Sequence, residues 1–88
     1  MRIVAGEARG RRLQAPAGMD IRPTTDRVKE SMFNIIQFDV PGARVLDLFA
    51  GSGALGIEAL SRGAAHCVFV DTSAEAVRIV RENVAACA

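Results

Sequence analysis

The sequence predicts an α/β protein: the start of a doubly wound parallel sheet, preceded by a basic N-terminal hairpin and a capping helix. Three observations carry this. Two short apolar runs, "RVLDLF" and "HCVFVD", each lead into a helical pattern. The links between them are short. The first run also breaks into Gly51, Gly53 and Gly56 at the head of its helix. Strand, helix, strand, helix in that order demands a parallel sheet, because parallel strands can be joined only through a crossover.

Taken in order, "RIVAG" and "RGRRLQAP" read as two extended segments punctuated by Gly6 and Gly10, a basic hairpin with too few apolar residues to be a core. "AGMDIRP" is a loop, framed by Gly18 and Pro23. "TTDRVKESMFNIIQF" is a helix whose Val28, Met32, Ile35 and Ile36 share one apolar face. Thr24 or Thr25 can cap it, and Asp26 suits its first turn. "DVPGA" stops it. Three units result: an arm over residues 1–23, a capping helix over 24–40, and two βα units over 41–88.

In the last unit, both strands are apolar enough to be buried on two faces. The first helix runs from Gly53 or Ala54 to Arg62 and ends at Gly63. The second opens on a capping box, Thr72 with Glu75, and shares Val77, Val80 and Val84 along one face. Two strands this apolar need neighbours. The chain is therefore expected to be the N-terminal part of a larger protein.

Composition excludes several classes. Half of the 88 residues are hydrophobic and 24% are charged, which argues against disorder. No apolar run reaches the roughly 18 residues of a membrane span, and the start lacks a signal peptide's apolar core, so a cytoplasmic protein is expected. Cys67 and Cys87 are read as reduced thiols. With His66 alone, read as the start of a strand, they make no zinc site. Net charge is +1, but residues 1–29 hold seven basic side chains against three acids, whereas residues 30–88 hold four against seven. A basic front on an acidic body suggests a polyanion partner, and a solvated charged face would look the same.

Gly51, Gly53 and Gly56 match G-x-G-x-x-G between a strand and a helix, where backbone N–H groups can approach a nucleotide cofactor. For a dinucleotide the turn must hold a pyrophosphate. Asp47 opposes that, because a carboxylate at the strand's end repels phosphate and costs free energy without a donor partner. It suits S-adenosylmethionine, which carries an ammonium and a sulfonium and no phosphate. Asp71 follows Gly51 by 20 residues, at the end of the second strand, where a carboxylate can accept both ribose hydroxyls. The plainer alternatives are a carboxylate capping the turn's N–H groups, for Asp47, and a turn former before a helix, for Asp71.

"VLDLFAGSGALGIEALSRGA" followed by "FVD" resembles motifs I and II of class I S-adenosylmethionine-dependent methyltransferases. "RIVAGEARGRRL" and "RPTTDRVKESMFNI" resemble, more narrowly, the RsmD-type bacterial family that methylates the exocyclic N2 of a guanine in 16S ribosomal RNA. The likeness runs over essentially the whole chain. It implies a Rossmann-like sheet, S-adenosylmethionine as cofactor, and 16S ribosomal RNA or a small-subunit particle as partner. Carried over by residue, it makes Asp47, Gly51, Ser52 and Gly53 the cradle of the methionine part. Asp71 would hold the ribose, and Thr72 would lie by the adenine. Arg9, Arg11, Arg12 and Arg22 would face RNA phosphates, with Thr24, Thr25 and Arg27 over the cofactor crevice.

The family's Asp/Asn-Pro-Pro-Tyr/Phe motif does not occur: Pro16, Pro23 and Pro41 are isolated. A guanine N2 amine is a poor nucleophile and needs such a motif to stack and hydrogen-bond the flipped base. No residue here is therefore assigned as catalytic, and the 88 residues alone are expected to be inactive. Two other readings stay open, a fragment of an NAD(P)-dependent oxidoreductase and a non-catalytic RNA-binding fragment.

Overall fold

A computed structural model describes residues 2–14, 26–48 and 51–87. The element order is α1 (Asp26–Ile35), β1 (Arg44–Leu48), α2 (Ala54–Ser61), β2 (His66–Val70) and α3 (Ala74–Cys87). β1 and β2 pair in parallel with Arg44 opposite His66 and Asp47 opposite Phe69. This is the expected strand–helix–strand–helix order. The loop around Gly18, Arg22, and the candidate caps Thr24 and Thr25 lie outside the described residues.

α2 covers one face of the sheet. Its contact with β2 depends on Gly56, where an added Cβ would stand 2.4 Å from Phe69 Cε1 and 2.7 Å from Cys67 Sγ. Only a glycine lets helix and strand approach so closely. The other face is bare: Leu46 is 61% exposed, and Leu48, Val68 and Val70 are exposed beside it. Burial on both faces is therefore not found among the described residues.

Three further expectations are corrected. The N-terminal segment forms a hairpin, with an isolated antiparallel bridge between Arg2 and Arg12, but it does not stand apart from the core. Ile3, Ala8 and Leu13 are buried in one cluster with Ala54 and Ile57. Few as they are, these three side chains suffice because hydrogen bonds to α2 hold the backbone between them.

The face of α1 is also reversed. Val28, Met32, Ile35 and Ile36 point outward, Ile35 at 84% exposure, while Lys29 and Phe33 point inward. Phe33 packs with Val40 and Ala59. Lys29 can be buried because a carboxylate awaits it. The helix also ends at Ile35, before "DVPGA". Last, the capping of α3 shifts by one residue from Thr72: Ser73 Oγ accepts the N–H of Ala76.

Both cysteines are free thiols, and burial raises the pKa of each. Among the described residues no helix is long and apolar enough to cross a membrane.

Candidate functional site

The glycine turn leaves the end of β1 and enters α2, with Gly51 at φ 59° and Gly53 at φ 81°. An added Cβ at Gly51 would meet nothing within 4 Å, so this part of the turn faces open space. The N-cap of α2, Gly53, supplies no side-chain cap. Asp47 does so instead, its Oδ2 accepting the N–H of Gly56 at 3.1 Å. The capping alternative is thus realised in the fold, and it sets the carboxylate at the positive end of the helix.

Asp71 closes the other side. Its Oδ2 accepts the N–H of Gly51 at 3.0 Å and its Oδ1 that of Ser73 at 2.9 Å. The two acids accordingly flank one turn. Their environments differ: burial, with the Asp71 charge adding to it, pushes the Asp47 carboxyl above its ordinary value despite the Gly56 bond. The N–H groups of Ser73 and Gly51 hold the Asp71 carboxyl below its own.

Ser52 is buried in the turn and Thr72 is exposed beside Asp71. An open depression of about 540 Å³ lies against Asp71, Thr72 and the flank of α3. The fold brings Asp47, Gly51, Ser52, Gly53, Asp71 and Thr72 together at the strand ends.

Arg9, Arg11 and Arg12 are exposed on the hairpin, and Arg27 is exposed on α1. Arg22 lies outside the described residues.

Sequence reasoning missed the residues that hold the arm. Glu58 is 0% exposed and accepts the N–H groups of Val4 at 2.8 Å and Ala5 at 3.1 Å. It also pairs with Lys29 at 3.2 Å and with Arg62 at 2.8 Å. Burial is the largest single influence on its carboxyl and would raise the pKa. The four donors together outweigh it and leave the pKa lowered. Lys29 also donates to the carbonyl of Arg2.

Farther along, Ser61 Oγ accepts from Ala8 N–H and donates to the Ala5 carbonyl. Asn83, buried on α3, joins arm to turn. Its Nδ2 donates to the carbonyls of Gln14 and Ser52, and its Oδ1 accepts the N–H of Gln14. The available signal was a lone acid inside the apolar stretch "ALGIEALS" and a lone lysine in α1, both at positions where a charge needs a partner.

The family model described as "Conserved hypothetical protein 95" matches residues 1–88. A Bacillus subtilis protein, YlbH, named provisionally as an rRNA methyltransferase, is 58% identical over 83 residues, covering 94% of this chain and 45% of that protein. Ribosomal RNA small subunit methyltransferase D of Escherichia coli K12 is 51% identical over 71 residues, covering 81% of this chain and 36% of that one. The solved structure of Escherichia coli yhhF, named provisionally as a methyltransferase, matches with a TM-score of 0.85 at 42% identity, over 97% of this chain and 45% of that chain. The chain therefore spans less than half the length of these relatives. Its parallel βαβα arrangement corresponds to the start of a Rossmann-like fold.

Proposed function

The chain belongs to the family described as conserved hypothetical protein 95, the RsmD-type methyltransferases, and on that premise we propose that it is the cofactor-binding front part of an S-adenosylmethionine-dependent RNA methyltransferase. The reading extends to N2 of a guanine in 16S ribosomal RNA as the acceptor. A cytoplasmic setting goes with that substrate.

The observation that carries it is the pair of carboxylates flanking the glycine turn. A pyrophosphate at the head of α2 would meet Asp47, whereas Asp71 suits the ribose of either cofactor. A cofactor with an ammonium group and hydroxyl donors suits both acids. Asp47, Gly51, Ser52 and Gly53 would hold the methionine part, Asp71 the ribose hydroxyls, and Thr72 would lie near the adenine. When bound, S-adenosylmethionine supplies an electrophilic methyl group on sulfur. The residues named here would hold and orient the cofactor. Asp71, kept ionised by its two N–H partners, is ready as an acceptor across the neutral range.

The exposed arginines of the arm then face RNA phosphates. With no Asp/Asn-Pro-Pro-Tyr/Phe sequence present, the 88 residues alone bind cofactor but transfer no methyl group.

Calorimetric titration of the intact protein tests this reading. S-adenosylmethionine is expected to bind and NAD not to bind. Asp47→Asn should weaken S-adenosylmethionine binding by about 10- to 100-fold, the value of a hydrogen bond to a charged group. Tighter binding of NAD, or an unchanged affinity in Asp47→Asn, would remove this cofactor from the account. Transfer of labelled methyl to ribosomal RNA by the 88 residues alone would refute their inactivity.

A further inference from the structure

A second concave surface lies away from the glycine turn. A groove of about 510 Å³ runs between the arm and α1, lined by Arg2, Arg9, Glu30, Asn34 and Arg62 with the arm backbone. Arg62 follows the last residue of α2, so the groove lies by the C-terminal end of that helix and the glycine turn heads its N-terminal end. Eight helical residues, about 12 Å, separate the two.

The groove's parts differ in chemistry. Arg62 lines it and is fixed: Nε is bound to Glu58, and the guanidinium lies 4.7 Å from the Phe33 ring centroid. A guanidinium fixed in this way offers a plane on which an unpaired base can stack. Glu30 and Asn34 stand one turn apart on α1 and present acceptor and amide groups to the same space. Arg9, exposed on the arm, supplies positive charge. An arginine, Arg9, and a carboxylate, Glu30, in one groove favour a ligand that is anionic in one part and a hydrogen-bond donor in another. A nucleotide has both.

We propose that this groove binds an unpaired guanine nucleotide of the RNA, separate from the base in the cofactor crevice. The proposal rests on the RNA-docking reading of the arm. The carboxylate decides the base. Guanine alone presents two adjacent donors, N1–H and N2–H, to the two oxygens of Glu30. Adenine and cytosine each set one amino group beside a ring acceptor, which a carboxylate oxygen repels. Uracil sets its single N3–H between two carbonyls. The base stacks on Arg62, its edge meets Glu30 and Asn34, and its phosphate meets Arg9.

The test is binding of short oligouridines carrying a single guanosine, inosine or adenosine to the intact protein, read by fluorescence anisotropy over a range of salt. Inosine keeps N1–H and lacks the N2 amine. The wild type should prefer guanosine over inosine by about tenfold, the order of a good bidentate base contact. Glu30→Gln, a change at an exposed position that leaves the fold intact, should erase that preference. Arg9→Ala should weaken all three RNAs alike and reduce the salt slope by about one.

No preference for guanosine in the wild type, or a preference unchanged in Glu30→Gln, overturns the proposal whatever Arg9→Ala does. The docking reading fails separately: alanine at Arg9, Arg11 and Arg12 together would then leave affinity and salt slope unchanged. A shifted slope in that triple variant, with an unmoved preference in Glu30→Gln, would leave the arm reading standing and the groove wrong.

Discussion

Glu58→Ala destabilises the protein by about 3–5 kcal/mol, the range for breaking a buried ion pair from one side. The side chain is fully buried and so is Lys29, whose ammonium would lose its counter-charge in a place water does not reach. The N–H groups of Val4 and Ala5 would lose their acceptor in the same step, at a cost of about 1–3 kcal/mol for each one left buried and unpaired. Against a total stability of about 5–15 kcal/mol, such a change unfolds a substantial fraction of molecules or frees the arm.

The double variant Lys29→Met with Glu58→Gln should recover part of the loss, because no buried cation then lacks a partner. Acid should act in the same direction as the single variant. The folded-state pKa of Glu58 lies below the ordinary 4.5, so its contribution is complete above that value and is lost as pH falls through the lowered one. Urea unfolding at neutral pH measures the first effect. A loss below about 1 kcal/mol would mean that Glu58 does not hold the arm.

Gly6→Ala is the second large effect. A Cβ there would lie 1.9 Å from the carbonyl oxygen of Ser61, a backbone atom that cannot swing away, and the residue's φ is +88°. The left-handed conformation alone costs an L side chain about 1–2 kcal/mol. Relieving the clash also means parting the arm from α2, which breaks the bonds from Glu7 N–H to the Ser61 carbonyl and from Ala8 N–H to Ser61 Oγ. The sum is about 2–5 kcal/mol.

Gly10→Ala is the control. Its φ is similar, +85°, but nothing stands within 4 Å, so only the conformational part, about 1–2 kcal/mol, should appear. Trypsin reports the difference: cleavage at Arg9, Arg11 and Arg12 should accelerate in Gly6→Ala far more than in Gly10→Ala. Equal rates and equal stabilities in the two variants would show that the arm is not seated on α2 through Gly6.

The βαβα half of the fold was readable because its signals are local. Gly53 and Gly56 sit next to the strand they follow, Gly63 ends the helix it terminates, and the apolar runs are the strands themselves. The grouping of Asp47 with Asp71 was readable for the same reason, since both acids sit at strand ends whose topology is dictated by the crossover.

What could not be read depends on partners far away in sequence. Lys29 faces inward only because Glu58 and the Arg2 carbonyl meet it there, and nothing in α1 announces either. A periodicity count therefore put the apolar stripe Val28, Met32 and Ile35 inside. The arm's core role was hidden in the same way, because its acceptors are side chains of α2 and α3. The cap of α3 was missed on a finer point: Thr72 and Ser73 are both good caps, and the bonds of Asp71 to Gly51 and Ser73 fix the backbone so that the second one is used.

The hydrogen bonds that seat the arm also set an order of events during synthesis. Val4 waits for Glu58, 54 residues later, and Gln14 waits for Asn83, 69 residues later. At translation rates of about 5–20 residues per second, the second interval lasts roughly 3–14 s. Closing such long loops comes late for entropic reasons as well. The arm leaves the ribosome well before its partners and finds its place late, with Ile3 and Leu13 uncovered in the meantime. Conditions that slow elongation lengthen that exposed interval, and a ribosome stalled before residue 58 leaves a nascent chain whose arm has no clamp to close on.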